Sequence, residues 1–239
     1  MLVDTTHRSG ENEIMDDLDM SGDILISTLD QIARINRWLG GNALTISGLK
    51  SLLNSQPETD FLSIVDLGCG NGDLLRVIAD FGRKNNFTFK LLGIDANLTT
   101  IEYARSLSTD YPEITYLKED VCSNEFRQRK YDIALLTLFL HHFEEQEALT
   151  LIKSTLSAVS TGIIVNDLHR HPLPYYLFKL LTMGMKNKMV KADGLTSILR
   201  GFKKTDLEDF AEKIKYPSTI SWKWAFRYQW IIRKNECKN

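Results

Sequence analysis

One stretch constrains the fold of this chain more than any other, Ser63-Ile-Val-Asp-Leu-Gly-Cys-Gly-Asn-Gly-Asp73. An apolar run ends here in three alternating glycines, Gly68, Gly70 and Gly72. Such a run predicts a buried parallel strand, and the glycines allow a tight turn in which the backbone comes close to a ligand. Helical spacing begins at Asp73. Strand, turn and helix together predict the ligand-binding corner of a doubly wound α/β sheet.

The spacing of the glycines distinguishes two kinds of ligand. The dinucleotide fingerprint G-x-G-x-x-G has its third glycine where the helix packs on the strand. In this chain the third glycine comes one residue early, Asp73 takes that place, and Asp66 lies two residues before the first glycine. This pattern closely resembles motif I of the class I S-adenosylmethionine (SAM) methyltransferases. The resemblance implies cofactor binding by Asp66, Gly68, Cys69, Gly70, Asn71 and Gly72, with the acid on the amino group of SAM and glycine N–H groups on its carboxylate.

Two further acids follow predicted strands. Asp95 ends the strand that begins at Phe87 and lies about twenty residues beyond the glycines, where a carboxylate accepts hydrogen bonds from ribose hydroxyls. NAD-binding folds share that feature. Asp120 ends a third strand, and the family resemblance implies that it meets the adenine amino group while Val121 packs on the ring. Ala96 is included in the same cofactor site. An NAD fold does not require the second acid.

The later strands continue the same resemblance. The fourth strand, Tyr131 to Thr137, runs into Leu138-Phe-Leu-His-His-Phe143, which is similar to motif IV of the family and implies cofactor contacts from Thr137, Leu138 and His142. A fifth strand covers Gly162 to Leu168. Two final strands, Thr219 to Phe226 and Tyr228 to Arg233, predict an antiparallel hairpin. Such a hairpin closes the seven-stranded methyltransferase sheet and is unusual for a dinucleotide fold.

The predicted architecture is therefore an α/β, doubly wound, Rossmann-like seven-stranded sheet with an antiparallel closing hairpin. Residues 1–58 form an N-terminal helical segment, which either simply covers the sheet or acts as a lid on the SAM pocket. Residues 59–239 form the methyltransferase domain, with a helical insert after the fifth strand at about 169–203. Residues 1–20 are polar and acidic, and we expect them to be in part disordered.

Composition excludes several other classes. A formal net charge of -2 and a pI of about 6.2 give no basic excess for nucleic-acid binding. Cys69, Cys122 and Cys237 lack the spacing of a disulfide or metal site, so we expect free thiols. There is no signal-peptide pattern and no uncharged stretch long enough to span a bilayer. We therefore expect a cytoplasmic monomer or homodimer without a bound metal.

Methyl transfer from SAM is an in-line displacement at carbon, so the enzyme mainly has to align the acceptor and exclude water. A base helps when the acceptor is a phenol, an alcohol or an activated carbon. The candidates are His142, His169 and His171, because histidine titrates near neutral pH. His142 has an alternative role, packing in the loop under SAM. For His169 and His171 a catalytic and a structural role both stay open.

The acceptor site is predicted from the apolar, aromatic helix Tyr175 to Met185, which either forms a wall for a flat or lipid-like molecule or serves core packing or a dimer interface. Three stretches, at Glu13 to Asp17, Ile35 to Gly41 and Asn166 to Pro172, resemble a bacterial subgroup thought to modify phenolic, quinone or polyketide small molecules. The predicted substrate-binding residues are Arg37, Trp38, Arg170, Tyr175, Tyr176 and Arg200, although most arginines form only surface ion pairs.

Alternative functions remain at this point. An NAD-dependent oxidoreductase could use a related sheet, and a non-catalytic partner subunit could keep the SAM fold. Nucleic-acid methylation is less favoured, since Leu138-Phe-Leu-His stands where amino-methylating nucleic-acid enzymes carry an Asn/Asp-Pro-Pro-aromatic motif. A small-molecule methyltransferase is the preferred hypothesis.

Overall fold

The computed structural model describes residues 3–54, 61–123, 126 and 128–234. The predicted linker at Pro57 and the thiol of Cys237 lie outside the described residues. The described part contains these α-helices: α1 (Asp23–Trp38), α2 (Gly41–Leu53), α3 (Asp73–Asn85), α4 (Leu98–Leu107), α5 (Glu145–Ala158), α6 (Pro172–Leu181), α7 (Lys188–Arg200) and α8 (Lys204–Ile214). Its strands are β1 (Phe61–Leu67), β2 (Thr88–Asp95), β3 (Ile114–Lys118), β4 (Tyr131–Thr137), β5 (Val159–Leu168), β6 (Ser218–Lys223) and β7 (Arg227–Arg233).

The strands form one seven-stranded sheet with the order β3-β2-β1-β4-β5-β7-β6. The first five strands are parallel, and β7 pairs antiparallel with both β5 and β6. The predicted architecture, including the closing hairpin, is confirmed. The insert after β5 consists of α6 and α7. Helix α2 begins at Gly41, directly after Gly40, which adopts a left-handed conformation with a φ of +78°.

Burial on both faces explains the continuous apolar runs of the central strands. Ile64 on β1 belongs to a cluster on the side of α2, α3 and α4, whereas Val65, the next residue, belongs to a cluster on the side of α5 and α8. Ile133 and Ala134 on β4 alternate in the same way. Successive side chains of a strand point to opposite faces, so both must be apolar in a sheet covered by helices on each side.

The N-terminal residues are more tightly held than their composition predicts. Arg8 Nε donates to the carbonyl of Arg200 at 2.8 Å. The backbone N–H groups of Ile14 and Met15 donate to the Asp193 carboxylate at 2.8 and 3.1 Å. The expectation of partial disorder in residues 1–20 is therefore not met over residues 3–20. The polar side chains have partners on distant helices, which composition does not reveal.

The carboxyl ends of β1 to β5 meet at one edge of the sheet, as parallel strands require. Helices α1, α6 and α7 and the short 3₁₀ helix Ile14–Asp16 lie over this edge. No helix in the described part of the chain is long and apolar enough to cross a membrane. The division at residue 58 into two domains stays a prediction.

Candidate active site

A cavity of about 830 Å³ lies between the strand ends and the covering helices. We call one side the strand-end half; it is lined by Asp66, Gly68, Cys69, Gly70, Asn71, Asp95, Ala96, Asn97, Asp120, Val121, Thr137, Leu138 and Phe139. We call the other the helical half; its apolar lining includes Leu25, Leu29, Ile32, Trp38, Pro174, Leu177, Phe178, Leu180, Leu181, Val190, Ile198, Trp224 and Phe226. The cavity thus has a polar side and an apolar side.

The cavity lining contains twelve of the thirteen residues predicted to bind the cofactor, eleven of them in the strand-end half together with His142; Gly72 lies outside the lining. Gly68 has a φ of +70°, and a Cβ there would lie 2.1 Å from the Phe139 ring. At Gly72, with φ +75°, a Cβ would meet the Tyr116 hydroxyl at 2.0 Å. Glycine is thus required at both positions by conformation and by space. The turn therefore has a fixed conformation where it borders the cavity.

The N–H groups of this turn already have protein partners. Those of Gly68 and Cys69 donate to the Ile94 carbonyl at 2.9 and 3.0 Å. The N–H of Gly70 donates to Asp95 at 3.2 Å. The N–H of Gly72 donates to the carbonyl of Cys69 at 3.0 Å. These hydrogen bonds stabilise the turn. The expectation that glycine N–H groups bind the carboxylate of SAM stays a prediction.

Two carboxyl groups on neighbouring strand ends face the cavity. Burial, together with the charge of Asp95, raises the pKa of Asp66 to about 8. Burial also raises the pKa of Asp95, although it accepts hydrogen bonds from the N–H groups of Asn97 and Gly70. A nearby cation would stabilise the ionised forms of both acids. This half is therefore suited to a ligand with a positively charged amino group.

The other two strand ends complete this half. Asp120 accepts the N–H of Cys122 at 2.8 Å while lining the cavity, and Val121 beside it is buried. Leu138 directly follows β4 and has a φ of +52°, unusual for a side chain with a Cβ. Its N–H donates to the Asn166 carbonyl at 2.9 Å. Strain of this kind persists where surrounding contacts enforce it and is common at functional sites.

His142 lies between the two halves and pairs with a residue that sequence reasoning missed. Its Nδ1 is 2.7 Å from Asp16 Oδ1, and its side chain is 21 % exposed. Although burial opposes the effect, the hydrogen bond and charge of His142 lower the pKa of Asp16, so this carboxylate is ionised near neutral pH. An ionised carboxylate on Nδ1 fixes the ring and leaves Nε2 as the nitrogen able to take a proton.

His141, the neighbouring residue, is buried between two carboxylates. Its Nδ1 is 2.7 Å from Asp167 and its Nε2 is 3.3 Å from Glu13. Burial alone would lower its pKa, but Asp167 and Glu13 raise the pKa of His141 to about 10, so the imidazole is charged. Its ring centroid is 4.3 Å from that of His142. The His141 ion cluster thus ties the N-terminal segment to the motif IV loop.

The same cluster is the place where a metal could be held. Glu13, His141 and His142 each offer a ligand atom, and these atoms lie within 4.8 Å of one another. The carboxylate comes from a segment 128 positions away from His141, so the sequence pattern does not reveal it. The prediction of no metal stays a prediction, which elemental analysis of the purified protein would test.

The other two candidate bases differ in position. His169 lines the cavity, and its Nδ1 accepts the Trp222 indole N–H at 3.3 Å. Burial, with the nearby His171, lowers the pKa of His169 to about 4, so it is neutral at pH 7 and a weak base. His171 lies outside the cavity lining, where its Nδ1 accepts the N–H of Leu173 at 3.1 Å and caps α6.

Of the six predicted substrate-binding residues, only Trp38 lines the cavity. Arg170 Nη1 donates to the Gly201 carbonyl at 2.6 Å and to Asp206 at 2.9 Å. The Arg200 guanidinium donates to the carbonyls of His141 and His142 and to Asp16. Both guanidinium groups are thus occupied by the protein. We replace their predicted substrate role by a structural one.

The three remaining residues also lie outside the lining. Arg37 forms an ion pair with Asp73, beside the glycine turn. The Tyr176 hydroxyl accepts the N–H of Val3 at 2.9 Å. The ring of Tyr175 packs edge-on against Tyr176, with centroids 5.4 Å apart. The face of α6 that reaches the cavity carries Leu177, Phe178 and Leu181 instead, because these residues follow Pro174 at helical spacing.

Arg227 is a cavity residue that sequence reasoning missed. It is buried, its Nη1 donates to Asn36 at 2.8 Å, and burial lowers its pKa to about 10. Within the described part of the chain, its buried Nε has no hydrogen-bond partner. The sequence carries no signal for it, since it is one of many basic residues and begins an ordinary-looking strand. It is a buried donor beside an apolar surface.

Residues 64–162 match a family model described as a methyltransferase domain. The matched span runs from β1 into β5 and contains the glycine turn, the strand-end acids and the motif IV loop. Together with the sheet order, the match supports the predicted SAM-dependent methyltransferase over the NAD-dependent alternative. No protein among the curated sequences matches the chain.

Solved structures show the same fold. The plantazolicin methyltransferase BamL, in complex with a triazolic desmethylPZN analog and S-adenosylhomocysteine (SAH), is 13% identical; the alignment covers 87% of this chain and 91% of that chain, with a TM-score of 0.67. The magnesium protoporphyrin IX methyltransferase (ChlM) from Synechocystis PCC 6803 with bound SAH is 16% identical, with coverages of 90% and 88% and a TM-score of 0.55. At these identities the likeness establishes the fold.

Proposed function

We propose that this protein transfers the methyl group of SAM to a small, apolar, aromatic or lipid-like acceptor of the phenol, quinone or polyketide type. The observation that carries the proposal is the division of one cavity into an acidic strand-end half and an apolar helical half. Its volume of about 830 Å³ lies in the upper part of the range of ~300–1,000 Å³ for small-molecule pockets. There is room for a cofactor and a second molecule.

The residues of the strand-end half fit SAM. Asp66 and Asp95 are buried acids with raised pKa values, which suits Asp66 to the amino group and Asp95 to the ribose hydroxyls. Asp120 and Val121 are positioned for the adenine ring. Bound SAM supplies a methyl group already activated by its sulfonium. The structures of BamL and ChlM, which were solved with SAH or SAM, support this assignment.

The helical half suits an apolar acceptor. Its aliphatic side chains come from α1, α6 and α7, and the aromatic ones include Phe178 and Phe226. Arg227 lines the cavity, and an oxygen of the acceptor would supply a partner for its buried Nε, which has none among the described residues. An aromatic ring with an oxygen substituent and an apolar chain would satisfy both features. Two proteins of similar fold are a plantazolicin methyltransferase and a magnesium protoporphyrin IX methyltransferase.

His142 is the base we assign to the reaction. It lies at the junction of the halves, and Asp16 holds its Nδ1. With Nε2 free to accept, His142 takes the proton of an acceptor hydroxyl as the oxygen or activated ring carbon attacks the methyl group. Asp16 stabilises the imidazolium that forms. His169 is less suited because its low pKa makes it a weak proton acceptor.

The test is a methyl-transfer assay with a matched pair of phenols, one carrying a long alkyl chain and one without it. We expect transfer to the alkylated phenol with a KM at least about tenfold lower, because burial of each methylene contributes about 0.8 kcal/mol. Equal KM values would contradict an apolar acceptor site. Binding of SAH without transfer to any member of a broader panel of phenols, quinones and polyketides would favour the non-catalytic alternative.

A further inference from the structure

The mouth of the cavity is surrounded by exposed apolar side chains. Besides Leu18, five exposed apolar residues line the cavity: Trp38 (72%), Leu177 (47%), Leu180 (65%), Leu181 (46%) and Trp224 (71%). We call them the mouth cluster. Met183 just beyond α6 is also exposed, at 72%. Single exposed apolar residues are normal, but a contiguous group of large ones marks an interaction surface.

Helix α6 departs most from the pattern of a helix that covers a sheet. Among its residues only Pro174 is buried, while Leu173, Leu177, Leu180 and Leu181 are all exposed. An ordinary surface helix turns its leucines to the core and its charges to water. Here four leucines are exposed in the single chain, although Leu177, Leu180 and Leu181 also line the cavity. Such a helix is suited to contact with a further partner.

The charge of the same segment indicates what that partner is. Between His169 and Ala192 the chain has no acidic residue and five basic ones, Arg170, Lys179, Lys186, Lys188 and Lys191, in a protein whose net charge is -2. Lys179, Lys186 and Lys188 are exposed. A helix with exposed leucines flanked by lysines is suited to the headgroup region of an anionic bilayer.

Another exposed residue of the cavity lining, Leu18, lies between two acids, Asp17 and Asp19, which are exposed as well. An anionic bilayer would contact the lysine-rich segment of α6 and leave these acids in water. Tryptophan is the residue most suited to such an interface, and Trp224 at the turn between β6 and β7 lies on the mouth.

We propose that α6, Met183 and the mouth cluster form a docking surface for an anionic lipid bilayer, through which an apolar acceptor enters the cavity from the membrane. Only the nature of the entering molecule rests on the proposed function; the docking does not. A second copy of this chain fits less well, because a twofold interface through α6 would bring the exposed lysines Lys179, Lys186 and Lys188 of both copies together. Such an interface would also close the opening of the cavity.

The experiment is co-sedimentation of the full chain with vesicles of equal parts phosphatidylcholine and phosphatidylglycerol, and with vesicles of phosphatidylcholine alone. We expect binding to the anionic vesicles and at least about tenfold weaker binding to the neutral ones. Leu180→Glu should weaken binding to the anionic vesicles by about tenfold or more. Its matched control is Phe61→Glu, which puts the same charge on an exposed aromatic at the amino end of β1; it should bind like the wild type.

A second pair of variants tests the charges. The double variant Lys179→Gln with Lys186→Gln should weaken binding by about tenfold, and the control Lys84→Gln with Lys90→Gln should not. Absence of vesicle binding, or equal losses in variants and controls, would overturn the proposal. A wild-type dimer in light scattering that Leu180→Glu converts to a monomer would overturn it too. SAH titration of the same samples separates the two claims: vesicle binding without SAH binding rejects only the proposed function, and the reverse rejects only the docking.

Discussion

The two halves of the cavity are built in different ways. The strand-end half takes nearly all its residues from one continuous region, Asp66 to Phe139, where each strand delivers its acid or glycine to the same edge. The helical half is assembled from three distant segments, near Leu25, Phe178 and Trp224. A site made by consecutive strand ends is local in sequence and carries a spacing signal. A site made by helices packing across the fold is not, and its composition resembles ordinary core.

The halves differ in electrostatics as well. Asp66 and Asp95 are buried acids whose ionisation is disfavoured, so the strand-end half holds a preference for a cation even before a ligand binds. The helical half presents mostly hydrocarbon, with Arg227 as its buried donor. His142 stands between them. Substitutions should therefore have separate effects. Changes in the strand-end half should alter cofactor binding, and changes in the helical half should alter acceptor binding.

The largest effect, on kcat, is expected for a change of His142 at the junction of the two halves. His142→Gln keeps a side chain of similar size but removes the proton acceptor, so kcat should fall by about a thousandfold for an acceptor that must lose a proton. SAH affinity should change little, which calorimetry on the same sample checks. His169→Gln is the control, with a much smaller loss of kcat. If His169→Gln lost more activity than His142→Gln, the assignment of the base would be wrong.

Asp95→Ala should weaken cofactor binding in the strand-end half of the cavity. Two hydrogen bonds from ribose hydroxyls to a charged group would be lost, so SAH should bind about a hundredfold more weakly. Asp110→Ala removes an exposed carboxyl elsewhere on the surface and should bind SAH like the wild type. Unchanged SAH affinity in Asp95→Ala would contradict the ribose assignment.

Gly194→Ala sharpens the comparison from the helical side. A Cβ at Gly194 on α7 would lie 2.3 Å from the Phe178 ring, so the ring must move where it lines the cavity. We expect a roughly fivefold higher KM for a long-chain acceptor, since overpacking of this kind typically costs ~1–3 kcal/mol. The SAH affinity of this variant should stay within about twofold of the wild-type affinity, which is about the error of the titration. A weaker affinity for SAH together with an unchanged KM for the acceptor would contradict the proposed division of the cavity into a cofactor half and an acceptor half.

The last effect concerns Asp66 and the pH dependence of SAH binding. Its carboxyl holds a proton up to a pKa of about 8 in the free protein. A cationic amino group beside it favours the ionised form, so SAH binding should release up to one proton at neutral pH. The affinity should accordingly rise as the pH goes from about 6 to about 8, by at most about tenfold per unit. Calorimetry in buffers of different ionisation enthalpy measures the released proton. Asp66→Asn should release none, and an unchanged release would rule out Asp66 as its source.

The sheet and the cofactor half were predictable because the responsible signals are local. The apolar run before Gly68, the acids Asp95 and Asp120, and the final hairpin each define a strand end without knowledge of the rest of the chain. These features also determine the strand order once the chain is recognised as a doubly wound sheet. The matched family span, residues 64–162, is the same region.

The helical half was less predictable because its residues act through tertiary contacts. The acids of the N-terminal segment suggested disorder, yet Glu13 and Asp16 are partners of His141 and His142. Arg170 and Arg200 stood beside the expected acceptor site, but carbonyls within the fold bind them first. Aromatic content drew attention to Tyr175 and Tyr176, whereas helix geometry turns Phe178 to the cavity. Composition identifies such a region, and only packing decides which side chains reach a ligand.

The most direct test of the account is calorimetric titration of three proteins with SAH: the wild type, Asp95→Ala and Gly194→Ala. The account predicts micromolar binding by the wild type, about a hundredfold loss in Asp95→Ala, and nearly unchanged binding in Gly194→Ala. No binding by the wild type would contradict a cofactor site at the strand ends. Equal losses in both variants would contradict the division of the cavity into a cofactor half and an acceptor half.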